Sequence, residues 1–428
     1  MSKSLLAART RRIKPSPSST TADRANALRR SGRSIVSLVV GEPDFDTPPH
    51  IRRAAAAAIE QGQTRYTQNN GTPALREAIA GKLHGENGVA CDPAQVLVTT
   101  GAKSAIFLAL LATLEAGDEV LVPAPYWVSY PDMVLACDGT PVIVPCGEAT
   151  GFKLTGQALA AAITPRTRWL ILNSPSNPTG ASYDEDEWRA IAAVLLQHPH
   201  VWLMTDEIYE HIQYLERPAR HPLVLEPALQ DRTLIVNGVS KTYAMTGWRI
   251  GYAAGPAPLI DAMAMLQSQS TSNACSVSQA AALAALQGDQ GFVADCRAVY
   301  RARRDAAMQW IAQIPGLSCT RPDGAFYLFV NCAGLIGLHT DAGVCLEDDE
   351  AVVLYLLDRV GVAVVQGSAY GMSPYFRMSV AVSMDTLKEG CERIAVAVAA
   401  LQRRLDGPAA SPASADAPQA PRAAADRG

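Results

Sequence analysis

Residues 240–256 read SKTYAMTGWRIGYAAGP, and they follow the apolar run 233–237 (TLIVN), which is typical of a buried β-strand. Lys241 and Arg249, eight residues apart, therefore stand just beyond the end of a predicted strand. In an open parallel sheet, ligands bind beyond the carboxyl ends of the strands. This stretch predicts a functional site at the edge of a sheet.

Other apolar runs also end in unusual polar sequences. The runs 95–100, 119–123, 169–173 and 201–205 lead into GAK (101–103), PYW (125–127), NSPSNPTG (173–180) and DEIYE (206–210). Helical stretches lie between several of these runs, at 103–114, 157–163 and 185–196. Near-continuous apolar strands separated by helices indicate a mostly parallel sheet that is covered on both faces. We therefore predict an α/β fold.

The pattern changes after about residue 290 and predicts a smaller α+β domain. A long helix is followed by a hairpin around 323–324, a helix near 350–360, and apolar runs at 362–366 and 376–380. The chain then closes with an amphipathic helix, whose apolar positions are Leu387, Cys391, Ile394, Val398, Leu401 and Leu405. The predicted division is an arm and the start of the small domain (1–50), a large domain (51–290), a small domain (291–405) and a disordered tail (406–428).

The composition favours a folded protein that acts on small molecules. Hydrophobic residues make up 48% of the chain and charged residues 18%, with a net charge of −4. Such a balance provides no field that would attract nucleic acid or an anionic membrane surface. The nine cysteines include no Cys-x-x-Cys pair, so neither a zinc site nor a redox motif is expected, and a disulfide framework is not expected in a chain of this length. We find no membrane-spanning segment or secretory signal peptide and predict a cytoplasmic protein, with an organellar transit peptide at the arginine- and serine-rich N-terminus as the alternative.

The polar residues at the strand ends match the needs of one cofactor. A lysine can bind a carbonyl cofactor covalently, and pyridoxal phosphate is the common one. It needs a carboxylate at the ring nitrogen, a stacking aromatic, donors to its phenolate oxygen, and a helix N-terminus with a cation at its phosphate. The residues that meet these needs in turn are Asp206, Trp127, Asn177 with Tyr209, and the helix start at 101–103 with Arg249. Arg377 is available for a substrate carboxylate.

Five motifs in order resemble the class I/II pyridoxal-phosphate aminotransferases of fold type I. They are GEPDFDTP (41–48), PYWVSYP (125–131), NSPSNPTG (173–180), DEIYE (206–210) and SKTYAMTGWRIGYAAGP (240–256). The resemblance covers roughly residues 10–405 and is greatest to the bacterial aspartate/prephenate aminotransferase subgroup. It implies a large α/β/α domain with a smaller α+β domain. It also implies transfer of an amino group, in two half-reactions, between L-aspartate or L-glutamate and 2-oxo acids: oxaloacetate, 2-oxoglutarate and, as a further acceptor, prephenate.

The resemblance also implies roles for individual residues. Lys241 resembles the Schiff-base lysine and Asp206 the partner of the pyridine nitrogen. The other expected cofactor contacts are Gly101, Ala102, Lys103, Trp127, Asn177, Tyr209, Ser240 and Arg249. The expected substrate contacts are Gly41, Trp127, Asn177 and Arg377, with Lys103 at the distal carboxylate and Lys14 at the ring carboxylate of prephenate. Tyr66 resembles the tyrosine that reaches the phosphate of the neighbouring subunit, which implies a homodimer with shared active sites.

Several alternatives stay open at this point. Val40 and Ala102 depart from residues that are common in the family, and Val40 could narrow the pocket. Lys103 could be a surface lysine, and Lys14 could be a solvated charge in a basic arm. The same scaffold supports aminotransferases of neutral or aromatic amino acids and also β-lyases. Some transcription regulators carry an aminotransferase-like domain, but only about fifty residues precede the large domain here.

Overall fold

The computed structural model of the chain describes residues 5–15 and 17–402. The tail predicted at 406–428 lies outside the described residues. Within them the strands are β1 Val36–Ser37, β2 Val96–Thr99, β3 Glu119–Ala124, β4 Thr140–Pro145, β5 Thr167–Asn173, β6 Trp202–Asp206, β7 Thr233–Gly238, β8 Gly251–Ala254, β9 Ser318–Cys319, β10 Tyr327–Asn331, β11 Val362–Ala363, β12 Val365–Gln366 and β13 Tyr375–Ser379.

The α-helices surround these strands. They are α1 Pro17–Arg30, α2 Pro49–Glu60, α3 Pro73–Gly85, α4 Ala102–Thr113, α5 Ser129–Ala136, α6 Gly156–Ala162, α7 Glu185–Gln197, α8 Pro222–Leu225, α9 Ala257–Ser268, α10 Ser276–Gln287, α11 Gly291–Ile311, α12 Asp349–Val360 and α13 Met384–Ala399. Among the residues that the structure describes, no helix is both long and apolar enough to cross a membrane.

A seven-stranded sheet forms the centre of the larger lobe, in the order β2-β8-β7-β6-β5-β3-β4. Strands β7, β6, β5, β3 and β4 run parallel to one another, which confirms the predicted α/β fold with a mostly parallel sheet. Strand β8 was not anticipated. It pairs antiparallel with both β2 and β7, because the chain reverses direction within the 240–256 stretch. Gly251 opens this strand where a side chain would collide with the backbone of Gly101 and Ala102.

Helices cover both faces of this sheet, as the near-continuous apolar strands predict. On one face, α2, α3, α7 and α10 bury residues such as Ile51, Ile79 and Leu195. On the other face, α4, α5 and α9 bury residues such as Ile106 and Met263. The two apolar layers enclose the strands, and the carboxyl ends of β5, β6 and β7 lie together at one edge of the sheet.

The smaller lobe contains a four-stranded antiparallel sheet, in the order β12-β13-β10-β9, that packs against α11, α12 and α13. Strand β1 joins this lobe by pairing in parallel with β11, where Val36 lies opposite Val362. The predicted apolar run 362–366 therefore contributes two short strands to two different sheets. The domain boundaries given above remain a prediction.

The closing helix is shorter than its apolar pattern predicts. Helix α13 ends at Ala399, so Leu401 lies beyond it, and Leu405 is outside the described residues. The backbone at Gln402 instead exchanges two hydrogen bonds with His339, at 2.8 and 2.9 Å. This pairing takes the place of continued helical hydrogen bonds, which a periodic sequence alone cannot reveal.

Candidate active site

One cavity of about 260 Å³ lies where β5, β6 and β7 end and helix α4 begins. It collects most of the residues that the sequence singled out: Gly41, Ala102, Lys103, Trp127, Asn177, Asp206, Tyr209, Ser240, Lys241, Arg249 and Arg377. Gly101 stands directly before α4, against Arg249. The carboxyl ends of the parallel strands thus bring residues distant in sequence to one site.

Lys241 is a buried amine at the centre of this cavity. It follows β7, and its Nζ donates a 2.5 Å hydrogen bond to the carbonyl oxygen of Gly41. Burial lowers the pKa of this amine to about 8, and Arg249 lowers it further while Glu42 opposes the change. About a tenth of this amine is therefore neutral at pH 7, and the neutral form is the one that a nucleophile or base requires.

Asp206 ends β6 and is buried beside this amine. Its Oδ2 accepts a 2.5 Å hydrogen bond from the Tyr130 hydroxyl, and its Oδ1 accepts one from the Ile208 backbone N–H at 3.3 Å. Burial raises the pKa of the carboxyl group to about 6, although both hydrogen bonds lower it. Asp206 therefore stays mainly ionised at pH 7, as a partner for a protonated ring nitrogen should.

The loop after β5 is held in place by a chain of amide hydrogen bonds. Asn173 donates through Nδ2 to the carbonyl oxygen of Asp206 at 2.8 Å, and its Oδ1 accepts from the backbone N–H of Asn177 at 2.8 Å. The side-chain oxygen of Asn177 then accepts from Nη1 of Arg377 at 3.0 Å. Asn177 therefore connects the large lobe to the arginine of the small lobe.

Arg377 is a buried cation on β13, only 3% exposed. Its Nη2 donates to the carbonyl oxygen of Val39 at 2.6 Å, and its guanidinium carbon lies 4.3 Å from the centre of the Tyr327 ring. Among residues 5–15 and 17–402, no carboxylate oxygen lies within 4.0 Å of it, and its Nε–H has no acceptor. A buried cation without a counter-charge is costly, so this arrangement fits an anionic ligand.

Arg249 and the start of α4 form a second place for an anion. The arginine adopts a left-handed backbone conformation, with φ of 56°, and its Nη1 donates to the carbonyl oxygen of Thr246 at 2.8 Å. Its guanidinium lies against Gly101, where any side chain would collide with it. The described residues place no carboxylate within 4.0 Å of this cation either. A guanidinium beside a helix N-terminus is suited to a phosphate group.

Lys103 supplies a third positive charge at the mouth of the cavity. Its Nζ donates to the Ser129 hydroxyl at 3.1 Å and lies 4.8 Å from the centre of the Trp127 ring. Partial burial lowers the pKa of this amine, and Arg249 lowers it further. No carboxylate within the described ranges comes within 4.0 Å of it.

Two predicted residues are not brought to the cavity of this chain. Tyr66 is 91% exposed, in the segment between α2 and α3. Lys14 is also exposed, and its backbone N–H donates to Oδ1 of Asp132 on α5 at 3.2 Å. The roles assigned to both residues remain predictions.

Sequence reasoning missed two tyrosines that support the site. Tyr130 lies inside the PYWVSYP motif, but its hydrogen bond to Asp206 depends on how α5 packs against the central sheet. Tyr327 lies in the small lobe, and its hydroxyl is 2.9 Å from the hydroxyl of Tyr209. The missed cavity residues are Val128, Ser129, Asn173, Ile208 and Tyr327. All of these except Tyr327 lie inside the motifs at 125–131, 173–180 and 206–210, so membership of a motif was the available signal.

A buried charged network fixes the strand that carries the lysine. Glu210 accepts hydrogen bonds from Lys82, from Asn87 at 2.9 Å and from Asn237 at 2.6 Å. Asn237 lies near the end of β7, four residues before Lys241. The network therefore anchors the turn that places the catalytic candidate.

Taken together, these residues can carry out a defined chemistry. A buried, partly neutral amine stands beside an ionised carboxyl group, and three cations without carboxylate partners surround them. The amine can attack a carbonyl group or move a proton, and the cations can hold anionic groups on either side of it. Within residues 5–15 and 17–402, no cluster of three or more His, Cys, Asp or Glu residues could hold a metal ion.

Comparison with known proteins agrees with this chemistry. The family described as "Aminotransferase class I and II" matches residues 33–394. Over 383 residues, the chain is 52% identical to the aspartate/prephenate aminotransferase of Cereibacter sphaeroides, covering 90% of this chain and 96% of the relative. Over 374 residues, it is 52% identical to the aspartate aminotransferase of Rhizobium meliloti strain 1021, covering 87% of this chain and 91% of the relative.

Solved structures show the same similarity in three dimensions. The crystal structure of the aspartate aminotransferase from Rhizobium meliloti superposes with a TM-score of 0.91 at 50% identity, covering 94% of this chain and all of that chain (100%). The Thermus thermophilus aspartate aminotransferase with maleate gives a TM-score of 0.87 at 40% identity, covering 92% of this chain and 100% of the other.

Proposed function

The chain belongs to the class I and II aminotransferase family, and we propose that this aminotransferase binds pyridoxal 5′-phosphate and moves amino groups from L-aspartate and L-glutamate to 2-oxo acids. One observation carries the proposal. Lys103, Arg249 and Arg377 line one cavity with Lys241, and none has a carboxylate within 4.0 Å among the described residues. Three cations match one phosphate and the two carboxylates of a dicarboxylic substrate. The names of the relatives support the same substrate class.

The residues fit the cofactor by the chemistry of their donors. When bound, pyridoxal phosphate supplies an aldehyde that carries the amino group and a ring that accepts electrons from the substrate. Asp206 would keep the ring nitrogen protonated, and Trp127 would stack on the ring. Asn177 and Tyr209 would hold the phenolate oxygen. The phosphate would bind Arg249 and the backbone at the start of α4, with Gly101, Ala102 and Ser240 around it.

Lys241 would provide both the covalent attachment and the proton transfer. A donor amino group would displace its Nζ, which leaves a neutral amine above the substrate. This amine would take the proton from the Cα atom of the substrate and would deliver it to the cofactor carbon that carries the amino group. The lowered pKa of Lys241 suits this role, because an amine that stays charged cannot accept the proton.

The substrate would be oriented by its carboxylates. Arg377 and the backbone of Gly41 would hold the α-carboxylate, since the guanidinium already lacks a counter-charge. Lys103 would meet the distal carboxylate of aspartate or glutamate. Lys14 would serve the ring carboxylate of prephenate, which we propose as a further acceptor with oxaloacetate and 2-oxoglutarate.

Donor half-reactions that are followed through the cofactor spectrum test the substrate assignment. Removing a charge-assisted contact costs about 1.5–3 kcal/mol. Lys103→Met should therefore lower kcat/KM for aspartate roughly ten- to hundredfold, while kcat/KM for alanine changes little. Lys388→Met, on the exposed face of α13, is the matched control. Equal losses for acidic and neutral donors would favour the alternative, an aminotransferase of neutral or aromatic amino acids.

Two further measurements test the cofactor and the reaction type. The purified protein should be yellow, and Lys241→Ala should lose both the reducible covalent attachment of the cofactor and the activity. Full transamination by that variant without added amines would contradict the assignment. Ammonia and pyruvate formed from a β-substituted amino acid, in place of an amino acid and an oxo acid, would indicate a β-lyase.

The prephenate proposal has its own variant. Lys14→Ala should reduce the rate with prephenate more than the rate with oxaloacetate. Equal reductions would show that Lys14 does not contact the ring carboxylate. The variant Arg11→Ala, in the same basic arm, controls for the loss of a positive charge.

We also propose a homodimer with shared sites, working in the cytoplasm. The strong exposure of Tyr66 supports a contact with the phosphate bound by a second copy. Mixing inactive Tyr66→Phe and Lys241→Ala chains should restore some activity, because hybrid dimers contain one site with both residues intact. No recovery, although the subunits demonstrably exchange, would refute the shared site. Cell fractionation tests the location.

A further inference from the structure

Tyr327 is a buried tyrosine that the proposed chemistry does not yet use. It opens β10 in the small lobe and is 1% exposed, and its side chain lines the active-site cavity. Strand β10 pairs antiparallel with β13, where Phe329 lies opposite Arg377. Tyr327 is therefore a diagonal neighbour of Arg377 on the same face of the sheet.

The Tyr327 ring supports the substrate arginine. The guanidinium carbon of Arg377 lies 4.3 Å from the ring centre, close enough for a favourable cation–π contact. Because this arginine has no carboxylate within 4.0 Å among the described residues, the ring supplies part of its stabilisation while no ligand is bound.

The Tyr327 hydroxyl lies close to two other residues of the site, Tyr209 and Gly41. It lies 2.9 Å from the hydroxyl of Tyr209, which follows β6 in the large lobe. It also faces Gly41, where a β-carbon would come within 2.9 Å of it. Gly41 in turn accepts the hydrogen bond from Lys241. One side chain thus contacts the substrate arginine, the cofactor tyrosine and the residue that holds the lysine.

We propose that Tyr327 is a positioning residue that directs the hydroxyl proton of Tyr209 toward the phenolate oxygen of the cofactor. The inference rests on the proposed function. A tyrosine hydroxyl has one proton to donate and can also accept a hydrogen bond. When Tyr209 donates to the cofactor, the 2.9 Å contact requires that Tyr327 donates to Tyr209. Tyr327 then polarises the Tyr209 hydroxyl and fixes its direction.

Tyr327→Phe removes only the hydroxyl and keeps the ring against Arg377. A weaker donation from Tyr209 leaves the phenolate oxygen more basic, so the bound chromophore keeps its proton to a higher pH. We expect the midpoint of the visible absorption change of the loaded enzyme to rise by about half to one pH unit, the size expected for one hydrogen bond. The dissociation constant of maleate, a dicarboxylate that cannot react, should change less than twofold.

A double-mutant cycle separates positioning from a general structural effect. In the Tyr209→Phe background, Tyr327→Phe should shift the midpoint no further, because its only proposed route of action is gone. Tyr375→Phe is the matched control. Tyr375 lies on the neighbouring strand β13, and its hydroxyl donates a hydrogen bond to Glu148, so removing that hydroxyl should leave the midpoint unchanged.

Each result is decisive. An unchanged midpoint in Tyr327→Phe, or an equal shift in the Tyr209→Phe background, would overturn the inference while leaving the proposed function intact. A maleate affinity that falls by the same factor as the equilibrium constant of the chromophore would show that the hydroxyl acts through Arg377. This result would also overturn the inference. A wild-type protein with no visible band after incubation with the cofactor would refute the proposed function itself.

Discussion

Replacing Lys241 with methionine should make the cofactor-free protein more stable at neutral pH. Burial lowers the pKa of this lysine from its usual 10.5 to about 8. Below pH 8 the folded chain therefore holds a buried charge, at a cost of about 3 kcal/mol relative to the unfolded chain. Methionine removes this cost and also the hydrogen bond to Gly41, which contributes about 1 kcal/mol. The expected gain in the free energy of unfolding is about 2 kcal/mol at pH 7.

The pH dependence distinguishes this explanation from a simple packing effect. A lowered pKa means that the unfolded state binds more protons between pH 8 and 10.5, so the wild-type chain gains stability as the pH rises through that range. The cost of the buried charge falls below about 1 kcal/mol by pH 10, where the variant and the wild type should be about equally stable.

Urea unfolding of cofactor-free protein at pH 7 and pH 10, at one protein concentration, measures both values. Lys82→Met is the matched control, because Lys82 is also a lysine with little exposure but is paired with Glu210. Breaking that pair should destabilise the chain by about 3–5 kcal/mol, the opposite direction. A Lys241→Met variant that is less stable than the wild type at pH 7, or whose advantage is the same at both pH values, would refute the reasoning.

Three other predictions concern the groups around Lys241. Tyr130→Phe removes a hydrogen bond to ionised Asp206, so the pKa of that carboxyl group should rise above about 6. In a binding titration, the affinity for the cofactor should therefore fall severalfold at pH 7 and recover toward pH 9. Arg377→Gln should raise KM for acidic and neutral donors alike by roughly a hundredfold. The variant should lose no stability in urea, because the substitution removes a buried cation without a carboxylate partner. Gly101→Ala places a side chain against Arg249 at φ of 87°, so it should weaken pyridoxal phosphate at least tenfold more than pyridoxal in paired titrations.

The sequence was informative wherever strand ends converge. The polar residues after β5, β6 and β7 lie in one cavity because parallel strands end at one edge of the sheet, and this rule needs no knowledge of packing. This rule did not predict strand β8. Nothing local in its sequence GYAA (251–254) distinguishes an antiparallel strand from the other apolar runs. The end of α13 was also wrong, because a tertiary pairing of Gln402 with His339 ends the helix.

The contact between Tyr327 and Tyr209 could not be predicted from the sequence either, because it also depends on tertiary packing. Tyr327 meets Tyr209 only when the small lobe docks on the large one, and the two residues are separated by 118 positions. Neither hydroxyl carries a signal of its partner in the sequence. The same limit applies to Tyr66 and Lys14, whose proposed contacts depend on a second copy of the chain or on a substrate.

The electrostatics of the site give an argument that does not depend on any motif. Lys241 and Asp206 are both buried with pKa values moved toward their neutral forms, to about 8 and about 6, and Arg377 is buried without a carboxylate partner. Each of these states destabilises the folded chain without ligands. A protein that only needed to fold would gain stability by replacing them. Their arrangement becomes favourable when a protonated ring nitrogen pairs with Asp206 and anionic groups pair with the arginines. The site is therefore best explained as the complement of a phosphorylated, ring-nitrogen cofactor and a carboxylate substrate, which is the requirement of amino-group transfer.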